Sequence, residues 1–537
     1  MVTLHCNLSR SNNNTVQIRR GDFCGILLSV ETTSSYEETP LLGYMIRQIA
    51  AERALCHELT VDVLQATLTN ATIETVLTAH HAHADRARKF TMTAVVWVLI
   101  AMNLYTSSAI SAVIRTVFKS LRLLSPADDP LVPGDSAFSY RRYHLGARPL
   151  VDLFHTVCVP MTTPQTPGAF LFGLRLVAID GTVEDVPDTK ANLRAFGRLQ
   201  GSRGPAAFPQ VQGVYLVEVG SHALLDAGFW PIHTSERVGG FRLLRSVTAG
   251  MLLMWDRGFH DYEMLLAVRQ RGGESLGRLP AHVKPQRVRS LADGSYLAHL
   301  VPSEYKRRKA GERQLVRIVE YTLTDPALAG YGEHYRLVTT LLDPEVAPAF
   351  EVACAYHERW EIELVIDEVD THQRLAGRPV RSQQPVGVIQ ELYALLIAHY
   401  AVRRVMHDAA ATVGIDPDRL SFRHALSVIQ ESLPEFQVVD ATEVARLYQR
   451  LVRDVARERL PERKPRSNPR VVKRKMSTFK LKRAEHAHPP SPTIASFRDA
   501  VMICTAADDD PTDLLLDLSE SLDLTLITRR VPVESLI

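Results

Sequence analysis

The spacing of apolar and polar residues divides the chain into four stretches. From about Leu41 to Leu124, long apolar stripes with few Gly or Pro residues indicate helices. Continuous apolar runs that are typical of buried strands follow after Thr162. These runs are Leu174–Asp180, Gly213–Gly220 and Ala249–Phe259. Short alternating strands then extend from about Leu276 to Asp343, and helical periodicity returns at Glu351. The pattern predicts an α/β protein with a helical domain, an α/β core, a β-rich segment and further helices.

The same changes, together with the linker signal SPADDPLVPGD at residues 125–135, set the expected boundaries. Residues 1–40 are rich in Ser, Thr and Asn without sustained periodicity, and we expect a flexible arm there. The remaining parts are an N-terminal helical domain at 41–124, a first part of the core at 136–275, a β-rich insertion at 276–345, a second part of the core at 346–440, a basic segment at 441–483 and an acidic tail at 484–537.

Six acids crowd the stretch YHERWEIELVIDEVDTHQRL, which begins at Tyr356. On a helix of about 100° per residue, some of its polar residues fall in a narrow stripe between two apolar margins. The stripe holds Tyr356, Arg359, Glu363, Asp367 and Asp370. The opposite face, which we expect to be solvated, holds Glu358, Glu361 and Glu368. The stripe alone is equally consistent with a helical i,i+4 ion pair between Arg359 and Glu363.

Two further acids, Asp180 and Asp256, each follow an apolar strand and precede a glycine by one or two residues. Either could be ordinary turn chemistry. However, carboxylates at the carboxyl ends of strands lie where open α/β sheets bind their ligands. Together with Glu363 they form a set of three carboxylates, which a hard divalent cation such as Mg²⁺ can hold together. Two such ions support phosphoryl transfer.

Composition narrows the class of protein. Six scattered cysteines without a CxxC pair argue against a disulfide scaffold or a structural zinc site. The apolar stretch Phe90–Tyr105 is shorter than the ~20 residues of a membrane span and is expected to be a core helix. The Gly-rich stretch GRLQGSRGP lacks a Walker lysine, so no nucleotide cofactor is expected. The formal net charge is only +2, but residues 450–483 hold fourteen Lys and Arg against three acids, and residues 484–537 hold ten acids against three Arg.

The motifs around the three carboxylates resemble those of the transposases of insertion-sequence family 4. That family's pattern of Tyr, two residues, Arg, three residues and Glu is matched by Tyr356, Arg359 and Glu363. AIDGTVEDVPDTKANLRAFG resembles the segment around the family's first Asp, at Asp180, and MWDRGF resembles the second, at Asp256. Further matches are FPQVQGVYLVEVGSHALLDA, YRLVTTLLDP, RSQQPVGVIQELYALLIAHYAVR and RSNPRVVKRKMSTFKLKR. With a looser N-terminal similarity, the resemblance covers roughly residues 45–483.

The resemblance implies an RNase H-like mixed sheet flanked by helices, with a β-rich insertion and an N-terminal helical domain that binds DNA ends. It implies that Asp180, Asp256 and Glu363 are the catalytic residues and the ligands of Mg²⁺ or Mn²⁺. The expected reaction is metal-dependent cleavage at the ends of an insertion sequence, followed by transfer of the freed 3′ hydroxyl into target DNA.

The expected partner is double-stranded DNA, both terminal inverted repeats and target. By the resemblance, Tyr356 and Arg359 contact phosphates beside the scissile bond. Two basic strips are further candidates because Lys and Arg neutralise phosphates. They are Lys306, Arg307 and Arg308 in the insertion, and Lys473, Arg474 and Lys475 in the basic segment. A homodimer on DNA and a cytoplasmic, nucleoid-associated location are expected, with no membrane association.

Two departures from the family pattern keep alternatives open. Asp370 occupies the family's Lys position, which reverses the charge there. The insertion has no Trp to stack on a flipped base, so Tyr296 or Tyr305 would have to serve. The alternatives are another RNase H-like two-metal nuclease, or an inactive transposase descendant that only binds DNA.

Overall fold

The computed structural model describes residues 64, 67–82, 90–118, 134–201, 204–374, 377–436, 441–461, 471–472, 480–481, 494 and 496–504. The predicted arm at 1–40 and the candidate DNA contacts Lys473, Arg474 and Lys475 lie outside these residues, as does most of the predicted acidic tail. By its contacts the chain divides into two compact units. One comprises residues 1–157, 389–401 and 427–451, and the other 158–388, 402–426 and 452–537.

The elements follow the order that the sequence predicts, which is helices, an α/β core, a β-rich stretch and further helices. The helices are α1 (Asn70–Ala79), α2 (Met92–Leu104), α3 (Ile110–Val117), α4 (Asp135–Leu145), α5 (Arg148–Val157), α6 (Lys190–Phe196), α7 (Glu236–Leu243), α8 (Tyr262–Gln270), α9 (Tyr305–Lys309), α10 (Ala349–Glu358), α11 (Glu361–Asp367), α12 (Pro385–Val413), α13 (Phe422–Phe436) and α14 (Ala441–Val455). The strands are β1 (Phe170–Leu171), β2 (Leu174–Asp185), β3 (Gln200–Gly201), β4 (Gly204–Pro205), β5 (Gln210–Glu218), β6 (Ala223–Pro231), β7 (Met251–Trp255), β8 (Glu274–Arg278), β9 (Gln286–Ser290), β10 (Tyr296–Leu300), β11 (Gln314–Leu323), β12 (Tyr335–Thr339), β13 (Val471–Val472), β14 (Lys480–Leu481) and β15 (Val501–Ile503).

The first unit is helical and is built around α2. All thirteen residues of α2 are buried, so the apolar stretch at Phe90–Tyr105 is a core helix, as predicted. The Trp97 indole N–H donates to the Asn70 side chain at 2.7 Å, which ties α2 to α1. Of the described helices, α12 is long and apolar enough to cross a membrane, but 78% of its apolar stretch is buried inside the protein.

The second unit contains one large mixed sheet in the order β6-β5-β2-β7-β8-β12-β11-β10-β9. Strands β2, β5 and β6 are antiparallel neighbours, whereas β7 and β8 run parallel to β2. Counted among themselves in chain order, the five core strands β2, β5, β6, β7 and β8 therefore lie in the order 3-2-1-4-5, which is the arrangement of an RNase H-like core. The predicted fold class is confirmed.

The β-rich insertion continues the sheet of the core. Strand β12 pairs antiparallel with the core strand β8, and β11, β10 and β9 follow outward. The sheet also includes β15, which pairs antiparallel with β11 through Tyr321–Leu323.

Candidate active site

Strands β2 and β7 bring Asp180 and Asp256 to neighbouring positions. The two strands are parallel, and the last paired residues are Ile179 on β2 and Trp255 on β7. Asp180 and Asp256 are the residues that follow this last pair, so the two carboxylates emerge side by side. Asp180 does not end its strand, contrary to the sequence prediction. Strand β2 continues to Asp185 because its other neighbour, β5, keeps pairing with it.

Asp180 lies in a partly buried, negatively charged environment. Its Oδ1 accepts a hydrogen bond from the Gly181 N–H at 2.8 Å, and its Oδ2 lies 3.3 Å from Nη1 of Arg359. Burial raises the pKa of Asp180 to about 6, and the nearby Asp256 and Glu363 carboxylates add to this against the opposing effect of Arg359. The three predicted metal ligands are therefore close enough to interact electrostatically.

Arg359 bridges two of these carboxylates. It lies at the break between α10 and α11 and is buried, with Nη2 lying 3.2 Å from Oε1 of Glu363. The i,i+4 pair that the helix alone would explain is present, but the same guanidinium also reaches Asp180. Tyr356, also buried, lies with its ring 5.8 Å from the Arg359 guanidinium carbon, and burial raises its pKa to about 12. The Tyr356 hydroxyl therefore keeps its proton at neutral pH.

Glu236 is an acid near Asp256 that sequence reasoning missed. It is the first residue of α7, and its Cδ lies 2.7 Å from the point where a Cβ on Gly181 would stand. Partial burial and the Asp256 carboxylate raise its pKa. The only sequence signal is an acid after a Ser at a helix start, which many helices share.

A buried ionic network holds the helix that carries Glu363. Nε2 of His222 lies 2.9 Å from Glu361 and 3.0 Å from Asp418, and Arg403 donates to Glu368 at 2.9 Å. Glu361 and Glu368 are each only 8% exposed. The prediction that these two acids meet solvent is wrong, because His222 and Arg403 from other elements cover that face. Glu358 is exposed, as predicted.

His222, Glu361 and Asp418 have the residue types and spacing of a metal-binding group, with ligand atoms within 4.8 Å of one another. The carboxylates of this group are paired with protonated side chains. Burial and Arg403 oppose protonation of His222, but Asp418, Glu368 and Glu361 outweigh them and raise its pKa to about 9. The network is therefore best described as imidazolium and guanidinium paired with carboxylates.

Asp370, at the position where the family has Lys, lies close to the carboxyl group of Glu184. It accepts a hydrogen bond from the Thr182 hydroxyl at 3.2 Å and lies 3.7 Å from Arg374, which also pairs with Glu184. Burial and Glu184 raise the pKa of Asp370 to about 8. Protonation of this carboxyl is therefore easier than that of an isolated Asp, which reduces the charge reversal read from the sequence.

The basic strip of the insertion forms α9. Lys306 and Arg308 are exposed, whereas Arg307 forms ion pairs with Glu263 and Glu312. Of the two tyrosines proposed for base stacking, Tyr305 is 66% exposed, and the Tyr296 hydroxyl donates to Glu320 at 2.8 Å.

The donor set suits a hard divalent cation. The carboxylates of Asp180, Asp256 and Glu363 lie around the guanidinium of Arg359. Oxygen ligands alone, with an excess of negative charge, are the ligands that Mg²⁺ and Mn²⁺ take in proteins.

Comparisons with known proteins point in one direction. The family "Insertion element 4 transposase N-terminal" matches residues 58–155, and the family "Transposase DDE domain" matches residues 171–401. The chain is 28% identical over 394 residues to Transposase InsG for insertion sequence element IS4 of Escherichia coli (strain K12), covering 72% of this chain and 86% of the relative. It is 31% identical over 153 residues to Putative transposase InsZ of the same organism, covering 27% and 49%. A structure of the piggyBac transposase synaptic complex with hairpin DNA aligns at 10% identity and a TM-score of 0.36, covering 77% of this chain and 86% of that one.

Proposed function

The chain belongs to the DDE transposases of insertion-sequence family 4, and from this premise we propose that Asp180, Asp256 and Glu363 are its catalytic residues and bind its divalent metal ions. As a member of that family it is a DNA-binding, metal-dependent polynucleotidyl transferase that moves an insertion sequence. The identity of the metal, the residues that bind it and the DNA contacts are parts of the proposal.

The observation that carries the assignment is the position of Arg359 between Asp180 and Glu363. These two carboxylates stand 183 positions apart in the sequence, yet one guanidinium contacts both. Asp256 lies near enough to raise the pKa of Asp180. Such an arrangement of like charges is costly unless cations compensate it. A structural role alone would not require three carboxylates at this point.

We assign Mg²⁺, or Mn²⁺ in its place, as the metal because all proposed ligands are carboxylate oxygens. When bound, such ions activate the attacking water or 3′ hydroxyl and stabilise the leaving oxygen of the cleaved DNA strand. Metal ions would also take over the compensation of Asp180 and Glu363 that Arg359 provides. The guanidinium is then available for a phosphate beside the scissile bond, and the protonated Tyr356 hydroxyl can donate to the same group.

The DNA substrate extends beyond the catalytic centre. Lys306 and Arg308 on α9 are exposed and are assigned to phosphate contacts, together with Lys473, Arg474 and Lys475 of the basic segment. Arg307 belongs to the same strip but must exchange its acidic partners for DNA. We further propose that two copies act together on paired element ends, in the cytoplasm at the nucleoid.

The inactive-descendant alternative depended on a negative charge at Asp370. Since burial and Glu184 raise the pKa of that carboxyl, protonation reduces the negative charge that the departure adds. The other alternative, a nuclease without end specificity, is distinguished by its products. A transposase cuts at inverted repeats and joins the freed 3′ end to a second DNA, whereas a nuclease only cuts.

The assignment is tested with DNA that carries the ends flanking the gene. Glu363→Gln is expected to abolish Mg²⁺-dependent end cleavage while binding of the same DNA in a gel-shift assay persists, because only one metal ligand is neutralised. Glu358→Gln, the same change at an exposed acid five residues earlier, is the matched control and should cleave normally. Normal cleavage by Glu363→Gln would refute the assignment.

A further inference from the structure

The C-terminal segment at residues 496–504 is fixed to the sheet of the catalytic unit. It begins with a tight helical turn, in which the Ser496 side chain accepts a hydrogen bond from the Arg498 N–H at 3.3 Å. The backbone then continues as β15, which pairs with β11, and the Thr324 N–H donates to the Ala500 carbonyl at 3.0 Å. These bonds give the side chains of the turn defined positions.

The same segment contacts both ends of α10. Phe497 lies flat against the His357 ring in the last turn, with ring centroids 3.7 Å apart and an angle of 6° between the planes. Two guanidinium nitrogens of Arg498 donate to the two carboxylate oxygens of Glu351 in the first turn, at 2.9 and 2.5 Å. The Arg498 guanidinium carbon also lies 5.0 Å from the centre of the Phe350 ring. The segment therefore holds the helix at two points that are about 9 Å apart along its axis.

Helix α10 lies between this segment and the catalytic carboxylates. At about 100° per residue, Phe350, Glu351 and His357 fall on one side of the helix and Tyr356 falls on the other. Tyr356 is buried there, and Arg359, which follows the end of the helix, contacts two of the proposed metal ligands. A shift of α10 would therefore move both Tyr356 and Arg359 relative to the catalytic carboxylates.

We propose that Phe497 and Arg498 are positioning residues for DNA cleavage, because they hold α10 where Tyr356 and Arg359 reach the phosphate beside the scissile bond. This inference rests on the proposed function, since it acts through the two residues that are assigned there to that phosphate. Misplacing a catalytic group by about 1 Å can slow a reaction about a hundredfold. Loss of one of the two contacts is therefore expected to slow cleavage about tenfold.

Two other roles of the segment make different predictions. A role in stability alone lowers the melting temperature and leaves the cleavage rate of folded, DNA-saturated protein unchanged. A direct contact between Arg498 and a DNA phosphate weakens DNA binding when the charge is removed. Measuring the cleavage rate at saturating DNA, the DNA affinity and the melting temperature on the same variants separates the three roles.

The first test removes the ring stack in the full-length protein. Phe497→Leu keeps an apolar side chain but cannot stack on His357, so Mg²⁺-dependent cleavage at saturating end DNA should slow about tenfold with little change in gel-shift affinity. Phe497→Tyr keeps the stack and should cleave at close to the unchanged rate. Met502→Ala, at an exposed residue of β15, is the control within the same segment and should also cleave normally. The melting temperature of each variant sets an assay temperature at which it is folded.

The second test exchanges the charges of the ion pair. Arg498→Glu and Glu351→Arg each place like charges together, so each should slow cleavage. The double variant restores a pair of opposite charges and the net charge of the unchanged protein, and should recover most of the rate. A DNA contact of Arg498 would not be recovered in this way, because the cation then stands at another position. If Phe497→Leu does not fold, the two single variants and the double variant decide the question.

The outcomes separate this inference from the proposed function. Unchanged cleavage rates in Phe497→Leu and in both charge reversals, with no cleavage by Glu363→Gln, would overturn the positioning role and leave the triad standing. Slow cleavage that follows a loss of DNA affinity and does not recover in the double variant would overturn it as well. Normal cleavage by Glu363→Gln would instead remove the proposed function on which the inference rests.

Discussion

At the residue scale, the strand register explains why Asp180 and Asp256 could be identified from sequence, whereas the surroundings of Glu236 and His222 could not. Asp180 and Asp256 follow continuous apolar runs that predict strands, and the parallel pairing of these strands places the two acids together. Glu236 acquires its position from α7 lying over Gly181, a tertiary contact without a local pattern. His222 is likewise surrounded by residues up to 196 positions away. Periodicity carries no information about such contacts.

Asp370 gives a pH-dependent prediction at the same scale. Its pKa is about 8 in the folded protein, well above the ordinary value of 3.8 that applies to the unfolded chain. Between these values the folded state holds a proton that the unfolded state has lost, so this group makes the protein less stable as pH rises from about 4 to about 8.

We therefore expect Asp370→Asn, which is neutral at every pH, to gain thermal stability relative to the unchanged protein across that interval, with no further gain above about pH 8. Melting temperatures in EDTA-containing buffers measure this difference. Asp367→Asn, an exposed acid three residues earlier, is the control and should show no such trend. A constant difference across the pH range would contradict the raised pKa of Asp370.

At the scale of elements, the segment after Tyr356 shows where a helical wheel fails. A single continuous helix predicts that Glu361 and Glu368 face solvent, but the helix breaks at Arg359 and Trp360 and passes into a wider π-turn at Glu368. The angular position of each side chain changes at both points. The buried partners His222 and Arg403 come from a strand turn and from α12. The wheel could separate the acids into two groups but could not show which group is covered.

We expect that removing one partner of the buried network destabilises the protein strongly. Arg403→Met removes a guanidinium that is 2% exposed and breaks its buried ion pair with Glu368, which typically costs about 3–5 kcal/mol. Chemical denaturation of the full-length protein measures the free energy of unfolding.

Arg404→Met is the matched control on the next residue. Its pair with Asp408 is on the surface of α12 and is worth about 0–1 kcal/mol. Equal losses from the two substitutions would show that burial of the Arg403 pair does not matter.

At the scale of the whole molecule, strand β15 and the residues before it form contacts that are expected to stabilise the catalytic unit. Strand β15 pairs with β11, Arg498 forms an ion pair with Glu351, and Phe497 stacks on His357 with ring centroids 3.7 Å apart. Glu351 and His357 lie on α10, the helix that carries Tyr356. The sequence indicated only an acidic tail here, because three strand residues are too few to give a periodic signal.

Two truncations test this dependence. A chain that ends at residue 493 loses β15 and these contacts, and its melting temperature should fall by roughly 2–4 °C for each kcal/mol lost. A chain that ends at Cys504 keeps them and should melt near the full-length value. Equal melting temperatures for the two truncated chains would show that the strand adds no stability.

The position of β15 also affects how the protein is made. Its partner residues end at Leu323, so the ribosome must add nearly 180 more residues before Val501 can pair with them. At about 5–20 residues per second this takes on the order of 10–40 s. During that interval Tyr321–Leu323 form an open strand edge on the nascent chain, where strands of other chains can pair. The yield of folded transposase is therefore expected to depend on the speed of translation through the second half of its message.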